Sequence, residues 1–283
     1  MVTFPNAKIN LGLRITSKRP DGYHNIESIM LPIAWNDILE IVPGRKGLQL
    51  HLSGLELPSC PNKDNLVLKA LRRLEAETGI VLPPSEIYLH KSIPFGAGTG
   101  GGSADAAFAL IAANELYNLG IDKENLAKIA SKVGADCAFF IYNKPQIASG
   151  IGDILNDVDV SILNSFHLLV IKPQSQSVST KAAYAGVTPK GGITAETLCS
   201  ELKIPVEQWL ARGILINDFE ESIFPLRPEI KEVKDKLLSN GAVYASMSGS
   251  GASVYGLFRN ENLASAAVDK FNNCDVLLQK INY

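Results

Sequence analysis

Residues 8–15 alternate between apolar and polar positions and predict a β-strand; residues 26–33, 37–42 and 47–52, rich in Ile, Leu or Val, predict three more. The period then lengthens. Leu66, Ala70, Leu74 and Glu77 give the mixed face of a helix over residues 64–79, with Gly79 as its stop. A short strand over residues 86–91 leads to a glycine-rich loop. After it, Ala106, Ala109, Leu110, Ala113 and Tyr117 fall on one face of a helix ending near Gly120. Asp122 is placed to cap a further helix whose face is Leu126, Ile129, Ala130 and Val133, with Gly134 past its end. Residues 153–165 read as polar and turn-like, Phe166–Lys172 as a buried strand, and residues 173–195 as a long surface loop. Helices near 194–203 and 228–240, strands near 242–247 and 252–258, a helix near 262–272 and a last strand complete the chain. Strands come in runs rather than in strict alternation with helices. That predicts an α+β fold of two domains, residues 1–155 and 156–283, meeting near residue 155.

Composition narrows the function classes. The 283 residues are 46% hydrophobic and 20% charged, as expected of a globular protein with a real core. A net charge of −2 supplies no basic field, so neither nucleic acid nor a membrane surface is an expected partner. The start of the chain lacks the plan of a signal peptide, with Lys8 interrupting it early. The longest apolar runs, Cys137–Tyr142 and Phe166–Ile171, are too short to span a bilayer. Cys60, Cys137, Cys199 and Cys274 are scattered and form no CxxC pair, and the four histidines show no ligand spacing. This argues against a disulfide scaffold or a structural zinc site and predicts a reducing, cytoplasmic setting.

The candidate chemistry centres on Pro94–Ala104, where Gly96, Gly98, Gly100, Gly101 and Gly102 precede the alanine-rich helix. Bare backbone N–H groups feeding a helix N-terminus make an anion site, most often for phosphate. Three nucleotide-loop plans compete. The G-x-x-x-x-G-K-[ST] plan is excluded, because no Gly-Lys pair occurs in the chain. The dinucleotide plan G-x-G-x-x-G is matched by Gly96, Gly98 and Gly101. It also needs a strand running directly into the first glycine and an acidic residue ending the next strand. Here Lys91–Pro94 intervenes, and Asp122, at about the right distance, opens a helix. A glycine-rich turn serving only close helix packing would not need five glycines in seven positions. The third plan is the P-x-x-x-G-x-G-G-[SA] loop of small-molecule kinases. Lys8, in Ala7-Lys8-Ile9-Asn10-Leu11, supports it: a lysine within an apolar strand is costly to bury unless it meets a carboxylate or phosphate. Alone it would read as an edge-strand lysine. A second glycine patch, Ser246–Ala252, lies between two predicted strands, either as a hairpin turn or closing against the first loop.

The loop resembles that of the superfamily of galactokinase, homoserine kinase, mevalonate kinase and phosphomevalonate kinase. Further strings resemble one branch of it, the kinases of 4-diphosphocytidyl-2-C-methyl-D-erythritol. They are Asp21-Gly22-Tyr23-His24, Asp64-Asn65-Leu66, Gly134-Ala135-Asp136 before Phe139-Phe140, Gly150–Asp153 and Ser248–Ala252, in that family's order and spanning nearly the whole chain. The resemblance implies a two-domain kinase fold, an N-terminal ribosomal-protein-S5-like domain and a C-terminal ferredoxin-like domain, with the active site in the cleft between them. It implies Asp136 as the catalytic carboxylate and Lys8 as its partner. Asn10 would hold the methylerythritol end; His24, Tyr23 and Tyr184 would hold the cytosine. For ATP it implies Asn65 near the adenine and Pro94, Phe95, Gly96, Ala97, Gly98, Thr99, Gly100, Gly101, Gly102, Ser103 and Ala104 around the phosphates. Mg²⁺ would be bound with help from Ser103. The implied partner is a small molecule, a cytidine diphosphate-linked methylerythritol, and the implied state is a monomer or weak homodimer. The chain departs from the family pattern at Ala104, commonly serine, at Ser149 and Ile151, where arginine is frequent, and at Thr99, often apolar.

Overall fold

The computed structural model describes residues 1–56 and 64–283; Cys60 lies outside the described residues. In chain order the strands are β1 Val2–Thr3, β2 Asn6–Lys18, β3 His24–Asn36, β4 Ile38–Pro43, β5 Leu48–Gly54, β6 Ser85–Lys91, β7 Gln146–Ser149, β8 Ile154–Asp157, β9 His167–Pro173, β10 Tyr244–Met247, β11 Val254–Phe258 and β12 Cys274–Lys280. The α-helices are α1 Leu66–Thr78, α2 Gly101–Leu116, α3 Lys123–Ser131, α4 Cys137–Tyr142, α5 Thr180–Gly186, α6 Ala195–Glu201, α7 Trp209–Arg212, α8 Glu220–Leu226, α9 Pro228–Ser239 and α10 Glu261–Val268. The mixture is α+β. It resolves into two compact units, neither continuous in sequence: Met1–Lys8, Pro32–Phe95 and Gly100–Lys144 form the first, and Ile9–Leu31, Gly96–Thr99 and Pro145–Tyr283 the second.

The first unit holds a four-stranded sheet in the order β1-β4-β6-β5, antiparallel except for the parallel β5–β6 pair, with helices α1 to α4. Helix α1 begins where the Asn65 side chain accepts from Val67 N. It stops at Gly79, which adopts φ 72° and donates its N–H to Glu75 O. Its buried face is Val67, Leu68, Ala70, Leu71 and Leu74. Helix α2 is buried on most sides, and its small residues Ala104, Ala106, Ala107, Ala109, Ala112 and Ala113 admit close neighbours.

The second unit carries two further four-stranded sheets, ordered β2-β3-β7-β8 and β10-β11-β9-β12. Leu13, Ile15, Ile26, Leu169, Ile171, Phe219, Val254 and Phe258 meet in its core. The segment after α7 is stitched to β2, since Leu13 N donates to Ile216 O and Asp218 N to Leu13 O, both at 2.8 Å.

Two expectations are corrected. Residues 153–165 are not all turn, for β8 pairs antiparallel with β7, a strand four residues long that the sequence reading passed over. Residues 173–195 are not one long loop, because α5 forms within them from an Ser179 N-cap.

Candidate functional site

The first unit gathers the groups suited to phosphoryl chemistry at the start of α2. Gly100 caps that helix at φ 73° with no side-chain capping bond, so the amides of Gly101–Ser103 leave the helix end without a side-chain partner. Lys8 lies against this end. A methyl added at Gly100 would stand 3.0 Å from Phe140 Cζ and 3.3 Å from Lys8 Cε. Lys8, buried in β2, places Nζ 3.3 Å from Asp136 Oδ2. Asp136 occupies the N-cap position of α4, yet its carboxylate makes no capping bond there. The ordinary role of a turn aspartate is therefore not its role here. Ser103 Oγ stands beside Cys137 Sγ across from Gly134. Burial pushes the Cys137 thiol up to about 12, so it is no nucleophile. Ala104 is fully buried, which places it inside the helix packing rather than at the open end. Gly102 faces Leu66, next to Asn65, whose side chain is engaged in capping α1.

The sequence reading missed the charged cluster beneath this helix end. Lys91 Nζ donates to Asp105 Oδ2 at 2.6 Å and to Asp37 Oδ2. Asp37 Oδ1 accepts from Ser92 N at 2.6 Å and Ile93 N at 2.8 Å. Burial pushes the Asp105 carboxyl up to about 7, Lys91 opposing and Asp37 reinforcing the shift. No local signal marks the cluster, since Asp37 lies 54 positions from Lys91.

In the second unit the two glycine patches close on each other. Ala252 N donates to Gly96 O and Ser253 N to Ala97 O, both at 3.0 Å, and Ser248 Oγ donates to Gly98 O at 3.0 Å. At Gly98 a methyl would come within 2.2 Å of Ser248 O, so only glycine permits this approach. Asn217, also missed, holds the second patch by donating Nδ2 to Met247 O and Gly249 O at 2.7 and 2.8 Å. Of the remaining loop residues, Pro94 is buried, Phe95 is exposed, and Thr99 is buried with its Oγ1 unbonded among the described residues.

The same unit holds the candidate cytidine residues. His24 and Tyr184 stack with centroids 5.1 Å apart, and Phe219 meets Tyr184 edge-on at 4.9 Å. With these two rings in contact, a base has no room between them. Tyr23 is exposed on the Arg19–Tyr23 turn. Burial holds the His24 imidazole below its ordinary value, with Lys18 adding to the effect. Asn10 has its orientation set by chemistry. Ser28 Oγ gives its one proton to Gly12 O at 2.7 Å, so it can only accept from Asn10, whose Nδ2 lies 2.8 Å away.

Comparison with known proteins defines the class. Residues 65–144 match the model of the GHMP kinases N terminal domain, and residues 202–275 that of GHMP kinases C terminal. A 4-diphosphocytidyl-2-C-methyl-D-erythritol kinase from Bacteroides fragilis is 50% identical over 264 residues, 92% of this chain and 93% of that protein. The crystal structure of a 4-(cytidine 5'-diphospho)-2C-methyl-D-erythritol kinase superposes with a TM-score of 0.77 at 29% identity, covering 98% of each chain. A homoserine kinase from Cytophaga hutchinsonii gives 0.72 at 20% identity, covering 98% of this chain and 95% of that one; the likeness is of fold alone. These matches, with the open helix end beside a lysine–aspartate pair, define a GHMP kinase, a class that uses ATP as a substrate. Within that class the chain belongs to the 4-diphosphocytidyl-2-C-methyl-D-erythritol kinase family.

Proposed function

We propose that this chain transfers the γ-phosphoryl group of ATP to the 2-hydroxyl of 4-diphosphocytidyl-2-C-methyl-D-erythritol, in the non-mevalonate route to isoprenoid precursors. The observation that carries this reading is the Lys8–Asp136 pair at 3.3 Å beside the uncapped start of α2. Phosphoryl transfer runs through a loose transition state, so positioning and charge stabilisation supply most of the catalysis. Asp136 takes the proton of the attacking hydroxyl as the new O–P bond forms and the bond to the β-phosphate oxygen breaks, releasing ADP. Lys8, 3.3 Å from that carboxylate, adds positive charge near the transferring group. The amides of Gly101–Ser103 hold phosphate oxygens through the helix dipole. The acceptor is a tertiary alcohol, crowded and weakly acidic, so its placement against Asp136 matters more than its intrinsic reactivity.

Mg²⁺ fits the donor set. Among the described residues no group of three or more His, Cys, Asp or Glu is placed to hold a metal. What the start of α2 offers is the Ser103 hydroxyl with the Asp136 carboxylate nearby. Such a sparse set suits an ion that keeps its waters and binds mainly through phosphates. The ion, when bound, neutralises phosphate charge. On the second unit, His24, Tyr184 and Tyr23 recognise the cytosine, and Asn10 the methylerythritol end. The enzyme works in the cytoplasm as a monomer or weak homodimer; among the described residues no helix is long and apolar enough to cross a membrane.

ADP release from ATP, measured with 4-diphosphocytidyl-2-C-methylerythritol beside homoserine and mevalonate, tests the proposal. Turnover is expected with the first alone. Preference for homoserine or mevalonate would overturn the substrate, and silence with all three would overturn the kinase reading. Asp136→Asn should fold as the wild type does and lose about 10²–10⁴ in turnover. Near-normal turnover in that variant would remove Asp136 from the mechanism.

A further inference from the structure

Asp37, Lys91 and Asp105 take no part in the chemistry above, yet all are buried, with side-chain exposures of 0%, 5% and 5%. What they join is informative. Lys91 ends β6, just ahead of Pro94, and Asp105 lies in α2 just after Ala104. Their 2.6 Å contact therefore ties the strand leading into the phosphate loop to the helix leading out of it. Asp37 grips the same strand end twice, through Lys91 and through the amides of Ser92 and Ile93. Trp35 Nε1 adds a bond to Ser92 O at 3.1 Å. The Ile93 side chain fits under Gly101, where a methyl would come within 2.9 Å of it. An ion pair serving stability alone needs one carboxylate, and burying a second charge adds desolvation cost. The cost is visible in Asp105 Oδ1, which accepts no hydrogen bond among the described residues.

We propose that Asp37, Lys91 and Asp105 form a positioning clasp for the ATP-phosphate loop. By fixing both ends of residues 92–104, the clasp holds the amides of Gly101–Ser103 ready, so less order must be gained when phosphate binds. None of the three touches phosphate; they are positioning residues. The inference rests on the ATP reading of this loop.

The test is calorimetric binding of a non-hydrolysable ATP analogue to wild type, Asp105→Leu and Asp105→Asn, with thermal unfolding and the KM for the cytidine substrate alongside. Removing one carboxylate leaves Lys91 matched one-to-one with Asp37, so both variants should melt near the wild-type temperature. In Asp105→Leu the analogue Kd should rise about tenfold, as for a loop competent about a tenth of the time, while the cytidine KM stays within about twofold. Asp105→Asn keeps an acceptor for Lys91 and should lose about threefold. If Asp105→Leu does not fold, Asp105→Asn decides alone on the same comparison. Wild-type analogue affinity in a folded variant, or equal loss for both substrates, overturns the clasp. A wild-type chain that bound no analogue would overturn the ATP reading itself, and the clasp with it.

Discussion

Lys8 and Lys91 are both buried cations, but only Lys8 declared itself in the sequence. It interrupts an apolar strand, a placement that asks for a counter-charge, and Asp136 supplies it. Lys91 read only as an interruption before the loop, because its partners come from a strand connection and a helix far off in the chain. A charge that is paid for by distant residues leaves no local pattern. His24 was singled out by motif as an expected cytosine contact, while its stacking on Tyr184 required the fold. Its titration has a definite direction. Burial favours the neutral imidazole, so the unfolded chain takes up the proton first as pH falls below its ordinary value of about 6.5. Stability tied to neutral His24 is thus present above about 6.5 and lost as pH falls through the lower folded value. The KM for the cytidine substrate should be flat above that region and rise below it, and His24→Gln should abolish the rise. An identical KM profile in both proteins between about pH 5 and 8 would remove His24 from substrate recognition.

At the scale of elements, most strands were readable, down to the four residues of β10, whereas β7, β8, α4 and α5 were not. Helix α4 is six apolar residues, a length at which periodicity cannot separate helix from strand, and its stop at Asn143 needs φ 51°. Helix α5 was hidden by a polar surround, although Ser179 ahead of Ala182 and Ala183 is an N-cap signal. The contact between the two glycine patches gives a graded test. Gly98→Ala places a Cβ 2.2 Å from Ser248 O at φ 71°, whereas Gly102→Ala, inside a helix, meets among the described residues only Leu66 Cδ1 at 3.5 Å. The first should lower the melting temperature sharply; the second should be neutral or stabilise by up to about 1 kcal/mol. Equal melting of the two would contradict the close approach of Gly98.

On the scale of the whole molecule, the sequence conveyed an α+β chain. It did not convey that each unit is assembled from separate stretches, since pairing across some two hundred positions has no local signature. Arg14 and Asp218 show the energetics of such pairing. They meet at 3.1 Å with side chains 9% and 1% exposed, and Asp218 Oδ2 also accepts from Ile15 N at 2.8 Å. Asp218→Ala should cost about 3–5 kcal/mol in denaturant unfolding by stranding a buried guanidinium, and Arg14→Met with Asp218→Leu should recover much of it. A negligible shift in midpoint for Asp218→Ala would mean that Arg14 finds solvent or another partner. The stitch between β2 and the segment after α7 also bears on the birth of the protein. On the ribosome, residues 9–31 emerge early, and Ile216 and Asp218 arrive only after some two hundred more residues have been made. Until then β2 has β3 on one side only and its other edge waits unpaired, the kind of exposed edge on which chaperones act. Nascent chains halted short of Ile214 should therefore be cut by protease within residues 9–31, and full-length chains should resist; equal resistance in both would show that β2 finds shelter earlier.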